Sequence, residues 1–362
     1  MRITFVLPVF SRVPSGGFRV VYEYANRLVG RGHQVTVVHE RWYEGWGRPV
    51  KHVTEVVRDW WHSRRVGGLN RWLRWMVVDD AVRMTMVGKL DARRLPEADV
   101  TIATYWTTAL LLPQLSARQG RGVHLVQGYE IWGVAEPEKV DEVLRLGVAK
   151  VVVSNYLAGV VAKLGVPAAN VTVVRNGLDH VAYRPPVPDG ERGASVSLLV
   201  GTGPQKGSVV AVAALERVRE EVPGLRVNAF GTEKRPDFLP EWVGYSRAGN
   251  GPEQAGDAYR ASAVHLCSSV EEGWGFPVAE AMACGTAVVV TRNGGAEDFC
   301  VHEENSLLVD VGDAEGMASA VVRLLLDQGL RERLVRSGLA TAAGMDWEES
   351  TDRFLAALTA GA

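Results

Sequence analysis

The sequence predicts an α/β protein of two Rossmann-like, doubly wound domains, each with a parallel sheet between layers of helices. Short apolar strands alternate with helical segments, the alternation runs through two separate series, and each series opens with a strand, a glycine-bearing turn and a helix. A chain of 362 residues is long enough for two such domains. We expect one domain over 1–180, a linker over 181–194 and a second domain over 195–345.

The first series consists of short runs rich in β-branched residues. Runs without polar alternation are typical of parallel strands buried on both faces. Between the first two runs, Gly16 and Gly17 precede an amphipathic helix. The predicted strands are Ile3 to Leu7, Val35 to Val38, Val100 to Ala103, Val123 to Val126, Val151 to Val153 and Val171 to Val174.

The second series follows a segment dense in proline and glycine, residues 179–194, which favours a linker over a helix or strand. A final segment, 347–361, has apolar residues at helical spacing, and we expect this helix to pack back on the N-terminal domain. The predicted strands of the second series are Ser197 to Val200, Val227 to Phe230, Val264 to Cys267, Ala287 to Val290 and Leu307 to Val309.

Composition excludes several classes of protein. Lys plus Arg number 40 and Asp plus Glu 42, so no basic field attracts nucleic acid. The three cysteines, Cys267, Cys284 and Cys300, form neither a disulfide framework nor a Cys-x-x-Cys metal motif. Met1 to Pro8 reads as a first strand rather than a signal peptide, and no apolar stretch reaches the roughly 18 residues of a membrane span. We expect a cytoplasmic protein, with peripheral contact at the inner membrane surface left open.

Glycine-bearing turns open both series. In the second series Gly201, Gly203 and Gly207 surround Lys206. Such turns direct backbone N–H groups and the positive end of a helix to one point, which suits a phosphate, although many serve chain geometry alone. Neither turn has the Gly-x-Gly-x-x-Gly pattern with a downstream acid, so a dinucleotide cofactor is not expected.

The strongest local pattern runs from Ser268 to Gly285. Glu272 lies in a glycine-containing turn, and Glu280 follows inside a helix that Pro277 can begin. A carboxylate accepts two hydrogen bonds at once, which suits vicinal hydroxyls of a sugar or ribose. The backbone amides of 273–276, at the start of the helix, can meet a charged diphosphate.

This segment resembles the Glu-x7-Glu motif of the retaining glycosyltransferases of family 4, which have the two-domain GT-B architecture and an interdomain cleft. The resemblance implies that Glu272 contacts the transferred hexose and Glu280 the ribose of the nucleotide. It implies transfer of a hexose or deoxyhexose from a nucleotide diphosphate sugar to a glycan, lipid-linked or small-molecule acceptor, with retention of configuration. The acceptor would bind the N-terminal domain and the donor the C-terminal domain.

The resemblance extends over nearly the whole chain and implies a set of donor-binding residues. Its other landmarks are 16–37, Val153 to Leu157, Val174 to Asp179, Glu241 to Tyr245, Asn293 to Glu297 and Glu304 to Val309. The implied donor-binding residues are Gly16, Gly17, Arg19, Thr202, Gly203, Lys206, Gly244, Tyr245, Gly273, Trp274, Gly275, Phe276, Pro277 and Glu280.

Two departures from the family pattern bear on mechanism. Thr202 stands where relatives usually have an arginine, which leaves Arg19 or Arg292 to supply the missing charge. Where many relatives carry a histidine facing the donor sugar, 127–130 resembles the Gln-x-Tyr-Glu variant of rhamnosyltransferase-like members. Strand alternation places His124 on the face opposite to Gln127.

The second departure sets the remaining site predictions. Gln127 or Glu130, together with Glu272, is expected at the reacting centre, and Tyr129 and Trp132 at the acceptor. The variant favours a deoxythymidine diphosphate sugar such as rhamnose, while UDP and GDP donors stay open. No Asp-x-Asp occurs in the chain, so we expect no metal or other cofactor. Helix N-termini and Lys206 would stabilise the leaving diphosphate.

A segment rich in tryptophan and arginine, residues 58–76, has two interpretations. The tryptophans can pack into the N-terminal domain with the arginines solvated, or the segment can meet lipid headgroups or acceptor sugars. Two other functions also fit the chain: a sugar-nucleotide epimerase of GT-B fold, and a non-catalytic sugar-nucleotide binding protein.

Overall fold

The fold consists of two compact units, each built on one parallel sheet. A computed structural model describes residues 1–41, 68–132, 136–186, 192–247 and 252–360. Unit 1 comprises Met1–Arg175 with Glu348–Ala362, and unit 2 comprises Asn176–Trp347. The two doubly wound sheets confirm the predicted fold class.

Unit 1 contains a seven-stranded sheet of order β3-β2-β1-β4-β5-β6-β7, in which every pairing is parallel. Its strands are β1 Arg2–Leu7, β2 Gln34–Glu40, β3 Arg83–Val87, β4 Val100–Ala103, β5 Arg121–Val126, β6 Ala149–Val152 and β7 Val171–Val173. Its first helices are α1 Gly16–Gly30, α2 Leu69–Trp72, α3 Trp106–Ala109, α4 Pro137–Leu144 and α5 Asn155–Lys163.

Unit 2 contains a six-stranded parallel sheet of order β10-β9-β8-β11-β12-β13. Its strands are β8 Ser195–Leu199, β9 Arg226–Gly231, β10 Gly244–Arg247, β11 Val264–Cys267, β12 Ala287–Thr291 and β13 Leu307–Val309. Its helices are α6 Ser208–Glu221, α7 Pro252–Arg260, α8 Phe276–Ala283, α9 Ala314–Leu326 and α10 Gln328–Ala343.

Helices cover the sheet of unit 2, so its central strands are buried along their whole length. Every residue of β11 and β12 is buried, as expected for apolar runs between two helical layers. Leu215 on α6 and Val321 on α9 are fully buried in the same core as the strands. Burial of one such side chain contributes about 1.5–3 kcal/mol, so this packing fixes the strand ends that carry the loops described below.

The last helix, α11 Trp347–Thr359, belongs to unit 1 from Glu348 onward. Its Phe354 is fully buried, with its ring centroid 4.2 Å from that of Tyr24 and 6.2 Å from that of Phe5. Three ion pairs hold its first turns. Arg27 lies 3.0 Å from Glu348, and Arg31 lies 2.8 Å from Glu348 and 2.5 Å from Asp352. The helix is therefore tied to β1 and α1 by both apolar and charged contacts.

The described part of segment 181–194, predicted as a linker, packs within unit 2. Tyr183 is buried, and Arg260 donates to the Ala182 carbonyl at 2.9 Å. Arg192 donates to the carbonyls of Ser262 and Cys284, each at 3.0 Å. The chain passes from unit 1 to unit 2 after Arg175, before the proline-rich stretch.

The tryptophans of the described part of segment 58–76 face the protein interior. Trp72 and Trp75 are buried, with Trp72 stacked on Phe10 at 5.3 Å and the Trp75 indole donating to the Ser11 carbonyl at 3.1 Å. This corrects the lipid-facing interpretation for these two residues, because their rings already have protein partners. Residues 58–65 lie outside the described residues. Within the described ranges, no helix combines the length and apolar character that a membrane crossing requires.

Candidate donor site

Three loops of unit 2 meet at the carboxyl edge of its sheet, where parallel α/β sheets generally bind ligands. They follow β8, β11 and β12. The Val270 amide donates to the Gln205 carbonyl at 2.8 Å, and the Glu272 amide donates to the Asn293 carbonyl at 2.9 Å. These backbone bonds fix the loop with Lys206 and the loop with Glu272 relative to each other.

Two glycines allow the loops to approach this closely. Gly207 has φ +58°, and a Cβ atom there would lie 2.0 Å from the Ser268 carbonyl oxygen. A Cβ atom at Gly295 would lie 2.5 Å from the Glu272 carbonyl oxygen. Real atoms do not approach this closely, so any side chain at either position would push the loops apart.

An ion pair joins the two loops at their centre. Lys206 Nζ lies 2.7 Å from Glu272 Oε1, and the Ser269 hydroxyl donates to the same oxygen at 2.7 Å. Burial is the largest single influence on the pKa of Lys206 and lowers it, but the charge and the hydrogen bond of Glu272 act together against burial, and the net pKa of Lys206 is raised. Lys206 therefore carries a full positive charge at the turn where the sequence predicts a diphosphate.

Glu280 lies on α8 beside a tyrosine from α7. The fully buried Tyr259 donates its hydroxyl to Glu280 Oε2 at 3.1 Å. Burial, and then the charge of Glu280, raise the pKa of Tyr259 well above its usual value. Tyr259 thus stays protonated and acts as a hydrogen-bond donor to a buried carboxylate.

Several other predicted donor residues surround these acids. Thr202 donates to Glu233 Oε2 at 2.8 Å, and the Tyr245 hydroxyl donates to the Glu233 carbonyl at 2.8 Å. Glu233 therefore ties the β8 loop to β10, whose first residue is Gly244. Trp274 is buried against Phe299, with 5.2 Å between ring centroids. Gly203 precedes the turn of Lys206, Gly273 and Gly275 flank Trp274, and Phe276 and Pro277 begin α8.

The two arginines considered as replacements for the missing charge are both engaged. Arg19, on α1 of unit 1, is buried with its Nε 3.8 Å from Glu23 Oε1. Arg292, in unit 2, lies 3.6 Å from both Glu297 and Asp310. Lys206, by contrast, joins the loop after β8 to the loop after β11 through its contact with Glu272.

The predicted residues of unit 1 lie after the end of β5 and at the start of α1. Gly16 is the first residue of α1, and a Cβ atom at Gly17 would lie 3.5 Å from Gln127 Nε2. The Gln127 Oε1 atom is buried and has no hydrogen-bond partner among the described residues. The structure thus brings Gly17 and Gln127 together, with a buried acceptor atom of Gln127 left unused there.

Glu130 is partly buried and is held in place by the helix that follows β4. Its Oε2 atom accepts a hydrogen bond from the Trp106 amide at 2.8 Å. Burial raises the pKa of Glu130 to about 8, while the Trp106 hydrogen bond acts in the opposite direction. The side chain is mostly protonated at pH 7 and ionises just above it.

The remaining predicted residues of this region differ in exposure. The Tyr129 hydroxyl donates to Asp141 at 2.8 Å, whereas Trp132 is exposed. His124 is buried within β5, and burial, with Lys150 as a second cause, lowers its pKa to about 3. His124 is therefore a neutral residue of the sheet interior.

Ser269, Tyr259 and Trp106 are among the residues that contact the predicted ones but were not themselves predicted from the sequence. Ser269 lies three positions before Glu272, a spacing that suits a bond across a turn. Tyr259 and Trp106 carry no such signal, because their partners lie on other elements. No cluster of three His, Cys, Asp or Glu side chains suited to a metal ion occurs among the residues that the structure describes.

Comparison with known families accounts for both halves of the chain. A family model described as Glycosyltransferase Family 4 matches residues 14–181, and one described as Glycosyl transferases group 1 matches residues 194–327. The chain belongs to the group 1 and family 4 glycosyltransferases. The resemblance inferred from the motif of Glu272 and Glu280 is thereby confirmed at the level of the family.

Two curated glycosyltransferases illustrate the sequence similarity. The lipopolysaccharide core biosynthesis glycosyltransferase LpsE of Rhizobium meliloti is 42% identical over 93 residues, 25% of this chain and 27% of that protein. The D-inositol 3-phosphate glycosyltransferase of Actinosynnema mirum is 31% identical over 256 residues, 62% of this chain and 59% of that protein. In both cases the match spans less than two thirds of the relative's own length, and neither description names a rhamnosyltransferase.

A solved structure shares the fold over the whole chain. HepE of Anabaena, in complex with UDP and glucose, aligns with a TM-score of 0.75 over 99% of this chain and 100% of its own. Sequence identity is 15%, so the similarity establishes the shared GT-B fold alone.

Proposed function

We propose that this glycosyltransferase moves a hexose or deoxyhexose from a nucleotide diphosphate sugar to a hydroxyl of a glycan, lipid-linked or small-molecule acceptor. The reaction would retain the anomeric configuration and use no metal ion. The observation that carries the proposal is the loop cluster of unit 2, where Lys206, Glu272 and the start of α8 converge at the carboxyl edge of a parallel sheet.

Each part of a nucleotide diphosphate sugar has a matching group in unit 2. The Lys206 ammonium and the amides at the start of α8 suit the diphosphate, since both present positive charge to an anion. Glu280 suits the ribose hydroxyls and Glu272 the hydroxyls of the sugar, because carboxylates accept hydrogen bonds from adjacent hydroxyls. As the glycosidic bond breaks, Lys206 and the α8 dipole stabilise the charge that develops on the leaving diphosphate.

Unit 1 supplies polar groups for the acceptor half of the reaction. The unused Gln127 oxygen and the Glu130 carboxyl lie on one loop, and either suits a hydroxyl close to the reacting carbon. Tyr129 and Trp132 continue the same loop and offer aromatic surface to a sugar ring. Their position supports an acceptor rich in hydroxyls, which agrees with relatives described as acting on D-inositol 3-phosphate and in lipopolysaccharide core biosynthesis.

The identity of the donor has two lines of support. HepE shares the fold and binds UDP and glucose, which favours a UDP-linked hexose. The Gln127 to Glu130 variant favours a deoxythymidine diphosphate sugar such as rhamnose. A thermal-shift panel of UDP-, GDP- and dTDP-linked sugars separates these options, because a ligand at 100 times its Kd adds about 2.7 kcal/mol of stability.

Turnover then tests the reaction itself. With the selected donor and a panel of inositol phosphates, glycosides and lipid-linked sugars, we expect nucleoside diphosphate release that an acceptor stimulates and EDTA does not inhibit. An epimerised sugar nucleotide without release would instead indicate an epimerase. Tight donor binding without any turnover would indicate a binding protein.

A further inference from the structure

The two oxygens of the Glu272 carboxylate differ in the hydrogen bonds that they accept. Both donors, Lys206 Nζ and the Ser269 hydroxyl, approach Oε1 at 2.7 Å. The other oxygen, Oε2, accepts no hydrogen bond from the residues that the structure describes. One oxygen is thus fixed by two donors, and the second has no donor among the described residues.

The Lys206 ammonium has two possible anionic partners. Its ammonium neutralises Glu272, yet it is also the cation proposed to bind the donor diphosphate. The pair is only partly exposed, with side-chain exposures of 30% for Lys206 and 15% for Glu272, so solvent screens it incompletely. A diphosphate that approaches Lys206 therefore meets a carboxylate that already holds the same cation.

The Ser269 hydroxyl can keep Glu272 in place if Lys206 changes partner. Ser269 is buried, and Thr291 donates its hydroxyl to the Ser269 carbonyl, which fixes the backbone at this point. The Ser269 hydroxyl has Glu272 Oε1 as its partner at 2.7 Å. Because this bond does not involve Lys206, it can persist when Lys206 turns to another anion.

We propose that Glu272 competes with the donor diphosphate for Lys206, and that Ser269 is the positioning residue that holds Glu272 when Lys206 transfers to the diphosphate. This inference rests on the proposed donor-binding function of the loop cluster. It links two events, because arrival of the diphosphate releases Glu272 from its cation. Glu272 then becomes a stronger acceptor for sugar hydroxyls at the moment when a complete donor is bound.

The first test measures binding of sugar-free UDP, GDP and dTDP by titration calorimetry. Glu272→Gln removes the competing charge while keeping the side-chain shape. We expect the nucleoside diphosphate that binds wild type to bind this variant about three- to tenfold more tightly. Equal or weaker binding by Glu272→Gln would overturn the proposal.

Two further variants make the binding test specific. Glu271→Gln removes the same charge from the residue next to Glu272, and its affinity should stay within about twofold of wild type. In a Lys206→Met background, adding Glu272→Gln should give no further gain in affinity, because the competition needs the ammonium. A gain that survives without Lys206 would show that Glu272 acts through the general field alone.

The second test addresses Ser269 with the sugar nucleotide that the thermal-shift panel selects. Ser269→Ala should lower kcat by about tenfold, the usual effect of losing a hydrogen bond to a charged group, and leave the donor KM within about twofold. Ser262→Ala is the matched control, because its buried hydroxyl donates to the Ala258 carbonyl, away from the loop cluster. Equal kcat losses in the two variants, or a change in KM alone, would reject the positioning role.

The outcomes separate this inference from the proposed function. A wild-type protein that binds none of the three nucleoside diphosphates would remove the donor site itself. A wild-type protein that binds one of them, paired with a Glu272→Gln variant that gains nothing, would remove only the competition.

Discussion

Tyr259 donates its hydroxyl to Oε2 of Glu280 across 3.1 Å, and both side chains are buried in unit 2. A buried carboxylate is costly unless hydrogen bonds compensate its lost hydration. The Tyr259 hydroxyl supplies one such hydrogen bond to Glu280. Tyr259 therefore provides a buried hydrogen-bond donor to the acid that is proposed to bind ribose.

This relationship predicts graded effects on nucleotide binding. Glu280→Ala should weaken binding of the nucleoside diphosphate by about 1–3 kcal/mol, and Tyr259→Phe by about 0.5–1.5 kcal/mol. Calorimetry with UDP and with its 2′-deoxy analogue checks the role, because the loss in Glu280→Ala should shrink when a ribose hydroxyl is absent. An unchanged affinity in Glu280→Ala would remove this residue from the ribose site.

Glu272→Ala should act mainly on turnover. Its contacts with the sugar should strengthen as charge develops at the anomeric carbon, so we expect kcat to fall by at least about tenfold. Steady-state kinetics with the selected donor measure the effect, and Glu271→Ala serves as the neighbouring control. Normal turnover in Glu272→Ala would count against its contact with the hexose.

Gly207→Ala should destabilise unit 2 more than Gly224→Ala does. Both glycines have positive φ, +58° and +81°, but only at Gly207 would a Cβ atom meet another atom, the Ser268 carbonyl oxygen at 2.0 Å. The strained backbone therefore affects both variants, and overpacking adds about 1–3 kcal/mol at Gly207. Urea unfolding measures the difference, and equal losses would show that the loops can separate at no cost.

Glu130 should make stability fall as pH rises. Its pKa is raised from 4.5 to about 8 by burial, so between these values the folded protein keeps a proton that the unfolded chain has lost. The contribution of Glu130 to the free energy of unfolding is therefore largest below about pH 4.5 and declines towards pH 8.

Glu130→Gln provides the measurement, since glutamine mimics the protonated acid and can still accept the Trp106 amide. In thermal unfolding at pH 4, 6 and 8, the Tm of the variant should rise relative to that of wild type as the pH increases. The exposed Glu138→Gln controls for loss of a glutamate charge. A difference between wild type and Glu130→Gln that is constant across pH would contradict the buried, protonated state.

Phe354→Ala should destabilise unit 1 by about 3–5 kcal/mol, because it removes a fully buried ring stacked on Tyr24 and Phe5. Arg353→Ala changes the adjacent exposed residue and should stay within about 0.5 kcal/mol of wild type. Denaturant unfolding followed by circular dichroism distinguishes the two variants. Similar small effects in both would mean that α11 contributes little to the unit.

Sequence patterns located the central strands but missed one edge strand in each sheet. The strands β4, β11 and β12 are mostly apolar, and every residue in them is buried. The strands β3 and β10 each pair with a single neighbour and carry polar residues, as in Arg-Met-Thr-Met-Val and Gly-Tyr-Ser-Arg. Half-covered edge strands do not need an apolar run, so their sequences lack the signal.

The candidate site was predictable where it depends on topology. Lys206 and Glu272 follow β8 and β11, and parallel strands bring such loops to one edge of the sheet. Their direct ion pair was not predictable, because it depends on the side-chain rotamers of residues 66 positions apart. The same limit applies to Tyr259, whose bond to Glu280 depends on how α7 packs against α8.

The split of unit 1 around unit 2 has a consequence for biosynthesis. Unit 2 is one continuous stretch, whereas Phe5 and Tyr24 must wait for Phe354 to leave the ribosome. At 5–20 residues per second, this delay lasts roughly a quarter of a minute to a minute. During that interval the nascent N-terminal sheet exposes an aromatic surface that suits transient chaperone binding, and unit 2 can finish folding before the unit that precedes it.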